Sequence, residues 1–228
     1  MTISAVALFG SHARGDAEPG SDVDILGITF EQRTRHVEMG NVSLYLYPWI
    51  HLLDAARRGD LFLCHIVSEA KPLHDPEARL EHLGGAFVFK ESYADEIRKA
   101  SDLGWYLATC REALTAPSVA KRIAWCVRTV VIARSAEQHM PCFAASALAK
   151  FSGSGAVREL ILRKDDERVE IDSPELLREF LIEFGTPEPF RNGSTSAYRS
   201  YFEKSENDVA LQTMRGQSNF RYASLRES

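Results

Sequence analysis

Asp22 and Asp24 stand two apart in Asp-Val-Asp-Ile-Leu-Gly-Ile-Thr-Phe (22–30), a run rich in apolar and β-branched side chains. In a strand the side chains alternate, so both carboxylates face one side and Val23 and Ile25 the other, with the acids about 6–7 Å apart along the chain. Ahead of them Gly10-Ser11 closes a short apolar run and opens a loop to Ser21, with turn formers at Gly15, Pro19 and Gly20. Gly10 permits close backbone approach, and the Ser11 hydroxyl can donate to a terminal phosphate. Arg14 carries the planar fork that suits phosphate oxygens, and His12 sits in the same loop. Ser21 can cap the turn or touch a phosphate. Paired acids beside a loop rich in backbone N–H groups suit a hard cation such as Mg²⁺ bridging carboxylate and phosphate oxygens.

The elements that must position these residues are legible from periodicity and punctuation. Residues 3–9 and 22–30 read as strands. Residues 33–47 read as a hairpin about Gly40-Asn41, with Val42, Leu44 and Leu46 alternating against Ser43, Tyr45 and Tyr47. Pro48 opens a helix that Gly59 ends, Asp60 caps a second through Glu69, and Asp75-Pro76 repeats the start signal. From about residue 90 the spacing turns helical, through Tyr93, Ile97, Ala100, Gly104, Leu107 and Leu114, then Val119, Ile123, Val127 and Val130. Ser173-Pro174-Glu175 starts, and Gly185 ends, a last core helix. Residues 191–228 are polar, with isolated aromatics and no firm period, and read as a tail or arm. The pattern predicts an α+β chain with its strands in the first part.

Gly10-Ser11, ten residues, then Asp22-Val23-Asp24 resembles the G-S-x10-D-x-D signature of the DNA polymerase β-type nucleotidyltransferase superfamily. Gly-Ser-His-Ala-Arg-Gly-Asp (10–16) is similar to the minimal nucleotidyltransferases and the kanamycin nucleotidyltransferase group, and the likeness covers about the first 80 residues. It implies a mixed N-terminal sheet with flanking helices over residues 1–88 and an all-helical, acceptor-side domain over 89–190. It also implies Mg²⁺ on Asp22 and Asp24, and a nucleoside triphosphate gripped at Gly10 and Ser11, with Arg14 and Ser21 beside it. The reaction would move a nucleoside monophosphate to a hydroxyl acceptor and release pyrophosphate. Where the family carries a third acid, this chain aligns Ser43, which can hydrogen-bond water but supplies no charge. Glu38 is then the nearest substitute, and Glu112 and Glu137 are candidates in the helical half. A degenerate nucleotide-binding or antitoxin-like module without transfer activity is the alternative.

Composition narrows the rest. The chain has 228 residues, 45% of them apolar, and a net charge of −5, which disfavours general nucleic-acid binding and leaves a small molecule, a protein side chain or an RNA end as acceptor. A protein partner or a homodimer is compatible. Cys64, Cys110, Cys126 and Cys142 form no C-x-x-C pair, and no apolar run approaches the roughly 18 residues of a membrane span, so a cytoplasmic protein with reduced thiols is expected. Arg134 and His139 have the R-x4-H spacing of HEPN-type ribonucleases. That spacing sets the two side chains roughly 140° apart on a continuous helix, unless the helix ends between them, which Pro141 permits, so a ribonuclease in the helical half is the less favoured reading. Tyr45, Tyr47, Trp49 and His65 read as core rather than ligand-binding groups.

Overall fold

Alternation over Ile3–Phe9 builds β1, whose Ala5, Ala7 and Phe9 are buried. The computed structural model of the chain describes residues 2–110, 119–165, 169, 172–191 and 193–216. Its described residues divide into two compact units, one up to Glu91 and one from Ser92 onward.

In the first unit β1 pairs antiparallel with β2 (Val23–Thr29), and β2 runs parallel to β4 (Val42–Pro48). The antiparallel β3 (Arg35–Met39) covers the outer side of β4. A short β5 (Lys71–His74), which the sequence pattern did not signal, adds to β1. The result is a mixed five-stranded sheet in the order β3-β4-β2-β1-β5. The β3–β4 hairpin turns at Gly40, whose positive φ of 62° suits a residue without a Cβ. One face of the sheet, bearing Ala5, Ala7, Phe9, Leu26, Ile28, Tyr45 and Tyr47, packs on α2 (Trp49–Arg57), α3 (Leu61–Glu69) and Leu83 of α4 (Arg79–Ala86). Each fully buried Phe or Leu of that layer contributes on the order of 1.5–3 kcal/mol.

The punctuation acts as its chemistry dictates. The Asp60 carboxylate accepts from Phe62 N at 2.8 Å and Leu63 N at 3.2 Å, capping α3. The Asp75 carboxylate accepts from the backbone of Arg79 and Leu80, so the helix it signals begins at Arg79, after a left-handed Ala78.

The second unit is helical: α5 (Ala94–Thr109), α6 (Val119–Glu137), α7 (Ala145–Ser152), α8 (Gly155–Leu162) and α9 (Ser173–Phe184), followed by α10 (Thr195–Lys204) and α11 (Asp208–Met214). The helix ending at Gly185 is therefore not the last. In the described part of the expected tail, Ser194 and Asn207 cap helices that bury Tyr198, Phe202, Val209 and Ala210. Two helices of 10 and 7 residues are too short for periodicity to stand out from their polar flanks. Residues 217–228 lie outside the described residues. Among the described residues no helix is long and apolar enough to cross a membrane.

Candidate active site

The end of β1 and the start of β2 meet in register, with Phe9 opposite Asp24. Chain direction reverses between them through α1 (Gly10–Arg14) and the loop to Asp22. Gly10 has φ 73°, and a Cβ built on it would lie 2.6 Å from Asp24 Oδ2. Both facts exclude a side chain there: L-residues strain in the left-handed region, and the carboxylate occupies the space a methyl group would need. The glycine turn and the second acid of the Asp-x-Asp pair are thus in direct apposition.

Across the sheet the same row continues. Asp24 pairs with Ser43 on the parallel β4, and Ser43 pairs with Glu38 on β3. Paired residues share a face, so Asp24, Ser43 and Glu38 project on one side, the acids two strand spacings or roughly 10 Å apart at Cα. The short Ser43 side chain lies between them. His36, two residues before Glu38, stacks on Tyr45 with ring centroids 4.3 Å apart, and its Nδ1 is 3.9 Å from Glu38 Oε1.

Arg14 ends α1 and is committed to two carboxylates of its own chain. Its Nε donates to Asp16 Oδ1 at 3.0 Å, and its Nη1 to Glu69 Oε2 at 2.7 Å. Burial works to lower the guanidinium pKa, but the hydrogen bond to Asp16 and the charge of Glu69 outweigh it, so the pKa stands above its usual value. Ser21 closes the loop: its hydroxyl accepts from Glu18 N at 3.0 Å, while its own N–H donates to the Glu18 carbonyl at 2.9 Å. Pro19 and Gly20, with φ 88° at the glycine, sit where a type II turn requires them. His12 Nε2 donates to the Ser21 carbonyl at 3.2 Å. Both ends of the loop are therefore fixed by their own side chains.

Several of the other candidates have partners within the fold. Glu137 Oε1 accepts from Tyr93 N at 2.8 Å and from the Ser92 hydroxyl at 3.2 Å, anchoring the start of α5. Glu112 lies outside the described residues. Arg134 donates to the Phe184 carbonyl, while α6 ends at Glu137 and His139 is left-handed with φ 57°. Tyr45 and Tyr47 pack with Phe62 in the core, and His65 is 8% exposed. Sequence reasoning missed Glu69 as a member of the site. Its only signal was the i,i+4 spacing from His65 on a helix already assigned.

Asp22 and Asp24 are hard oxygen donors, and the Gly10 turn lies directly against the Asp24 carboxylate, a donor set whose chemistry fits a divalent cation. No group of three or more His, Cys, Asp or Glu suited to a metal occurs among the described residues.

A mixed sheet whose second strand starts between two carboxylates, with a glycine turn packed against the second of them, is the frame of a nucleotidyltransferase-type domain. Residues 2–82 match the model of the nucleotidyltransferase domain family, and the first unit belongs to that superfamily, whose domains generally use a divalent metal. Among solved structures, a nucleotidyltransferase-like protein from Exiguobacterium sibiricum 255-15 is similar at 13% identity and a TM-score of 0.26, over 96% of this chain and 75% of that one. No curated protein matches the chain.

Proposed function

We propose that the first unit binds a nucleoside triphosphate with Mg²⁺ and transfers its nucleoside monophosphate to a hydroxyl acceptor. The observation that carries this reading is the close approach of the Gly10 turn to the Asp24 carboxylate, which sets the backbone of the turn directly beside that acid. Asp22 and Asp24 hold the cation, and Gly10 and Ser11 meet the phosphates with backbone N–H groups and a hydroxyl. Arg14 and Ser21 border the same loop. When bound, the ion supplies positive charge that offsets the charge developing on the phosphoryl oxygens. The acceptor oxygen attacks the α-phosphorus, the bond from that phosphorus to the bridging oxygen breaks, and pyrophosphate leaves with the electron pair. The acceptor proton passes to a base. Glu38, in the row of Asp24 and Ser43, is the acid of this face able to take it, directly or through a water resting on the Ser43 hydroxyl. The helical unit serves the acceptor side.

A second reading has its own observation. Ser43 stands directly opposite Asp24, so the two-acid site can hold nucleotide without the charge needed for efficient transfer, as a sensor or an antitoxin-like module. Titration calorimetry with Mg²⁺ and each nucleoside triphosphate, followed by pyrophosphate detection in acceptor mixtures, separates the two. Binding with pyrophosphate release supports transfer, and release that survives Glu38→Gln at full rate removes Glu38 as base. Binding without release in every mixture favours the module. Absence of binding to any triphosphate rejects both.

A further inference from the structure

One face of α3 reaches both flanks of the glycine turn. His65 packs its ring edge-on against Phe9, the residue before Gly10, with centroids 5.6 Å apart and planes at 85°. One helical turn later Glu69 Oε2 accepts from His65 Nε2 at 2.7 Å and from Arg14 Nη1 at 2.7 Å. Arg14 is the last residue of α1, so the two ends of the turn are tied to the same pair of side chains. The Glu69 side chain is 10% exposed and that of Arg14 is 19% exposed, which keeps the pair shielded from competing water and salt.

We propose that Glu69 is a positioning residue that acts through Arg14 to hold the Gly10-Ser11 turn at its spacing from Asp24. The reason is the length of α1. Five residues form only one turn, which has no stability of its own in water, so its orientation is set by tertiary contacts. The buried Ala13 supplies one such contact but cannot fix rotation about its own axis. A charge-assisted hydrogen bond from the end of α1 to a neighbouring helix can, because it fixes direction as well as distance. The local capping bonds, Gly15 N and Asp16 N to the Ser11 carbonyl at 2.9 and 3.1 Å, close the turn but lie within it. With Gly10 already in contact with Asp24, a small rotation of α1 moves the backbone N–H groups relative to the carboxylate. This inference rests on the nucleotide-binding reading for its function, although the clamp exists without a ligand.

The test compares Glu69→Gln, the milder Glu69→Asp, Arg14→Gln and the Glu69→Gln/Arg14→Gln double variant in the full chain. The first readout is amide hydrogen exchange without nucleotide. Exchange at Gly15 and Asp16 is expected to quicken about tenfold in Glu69→Gln while amides in β1, β2 and the helical unit keep their rates. The second readout is the affinity for Mg²⁺ and a non-hydrolysable triphosphate analogue, expected to fall about tenfold in Glu69→Gln with partial recovery in Glu69→Asp. In the double variant it should fall no further than in Arg14→Gln alone. A transfer assay should show the loss mainly in KM. Unchanged exchange in residues 10–16 overturns the clamp whatever the affinity does, as does a double variant in which the two losses add. Faster exchange in a protein whose parent chain binds no triphosphate rejects the nucleotide reading and, with it, the positioning role.

Discussion

Asp24 in the sheet unit and Asp102 in the helical unit are both carboxylates on regular elements, yet their surroundings are opposite. Asp102 is 2% exposed, and its Oδ2 accepts from the Tyr201 hydroxyl at 2.9 Å and from Arg98 Nη1 at 3.2 Å. Burial pushes its pKa up, and the Tyr201 hydrogen bond and Arg98 charge only partly oppose that. Asp24 is half-buried, with the Gly10 turn against its carboxylate, Phe9 opposite on β1 and Ser43 opposite on β4. The helical unit thus spends its carboxylate on joining α5 to α10.

The contrast breaks most decisively at Asp24. On the proposed function, Asp24→Asn should leave folding intact and lower pyrophosphate release by about 10³-fold or more, because that reading gives Asp24 a charge on the cation at the reacting phosphate. An Asn variant with parental turnover would remove the carboxylate from the site. The matching change in the other unit acts on stability: Asp102→Ala strands the Tyr201 hydroxyl and the Arg98 guanidinium and should cost about 2–3 kcal/mol in urea denaturation. The lower end of the usual range for a broken pair applies because Arg98 is 34% exposed.

Gly10→Ala joins the two themes. A methyl group at φ 73° and 2.6 Å from Asp24 Oδ2 should cost about 1–3 kcal/mol of stability and weaken triphosphate binding, measured by denaturation and calorimetry. The smallest effect lies in pH dependence. With its folded pKa above the ordinary carboxylate value, Asp102 holds its proton in the native state after the unfolded chain has released it. Its contribution therefore favours folding at low pH and is lost as pH rises from about 4 through the raised value. Denaturation midpoints across that window should fall less steeply with pH in Asp102→Asn than in the parent chain.

The signals of the candidate site are local. Gly10, Ser11, Asp22 and Asp24 are close in sequence, and the strand period alone places the two acids on one face. The Asp60 cap, the Gly40 turn and the Pro19-Gly20 turn follow from single-residue backbone preferences in the same way. Arg14 shows the limit. Its type suits phosphate, yet in the fold it donates to Asp16, which sequence distance suggests, and to Glu69, 55 residues away, which nothing local suggests.

The sequence by itself determined the mixed α+β order of the elements, the apolar layer under the sheet and the placement of the acidic pair at the start of the second strand, since all three depend on alternation, capping and side-chain type. Tertiary structure alone decided that Ser43 and Glu38 extend the row of Asp24, that Glu69 grips the glycine turn, and that two short helices follow Gly185. Strand pairing and helix docking set those neighbours by burying apolar area, a free energy shared across distant segments that no short window of residues contains.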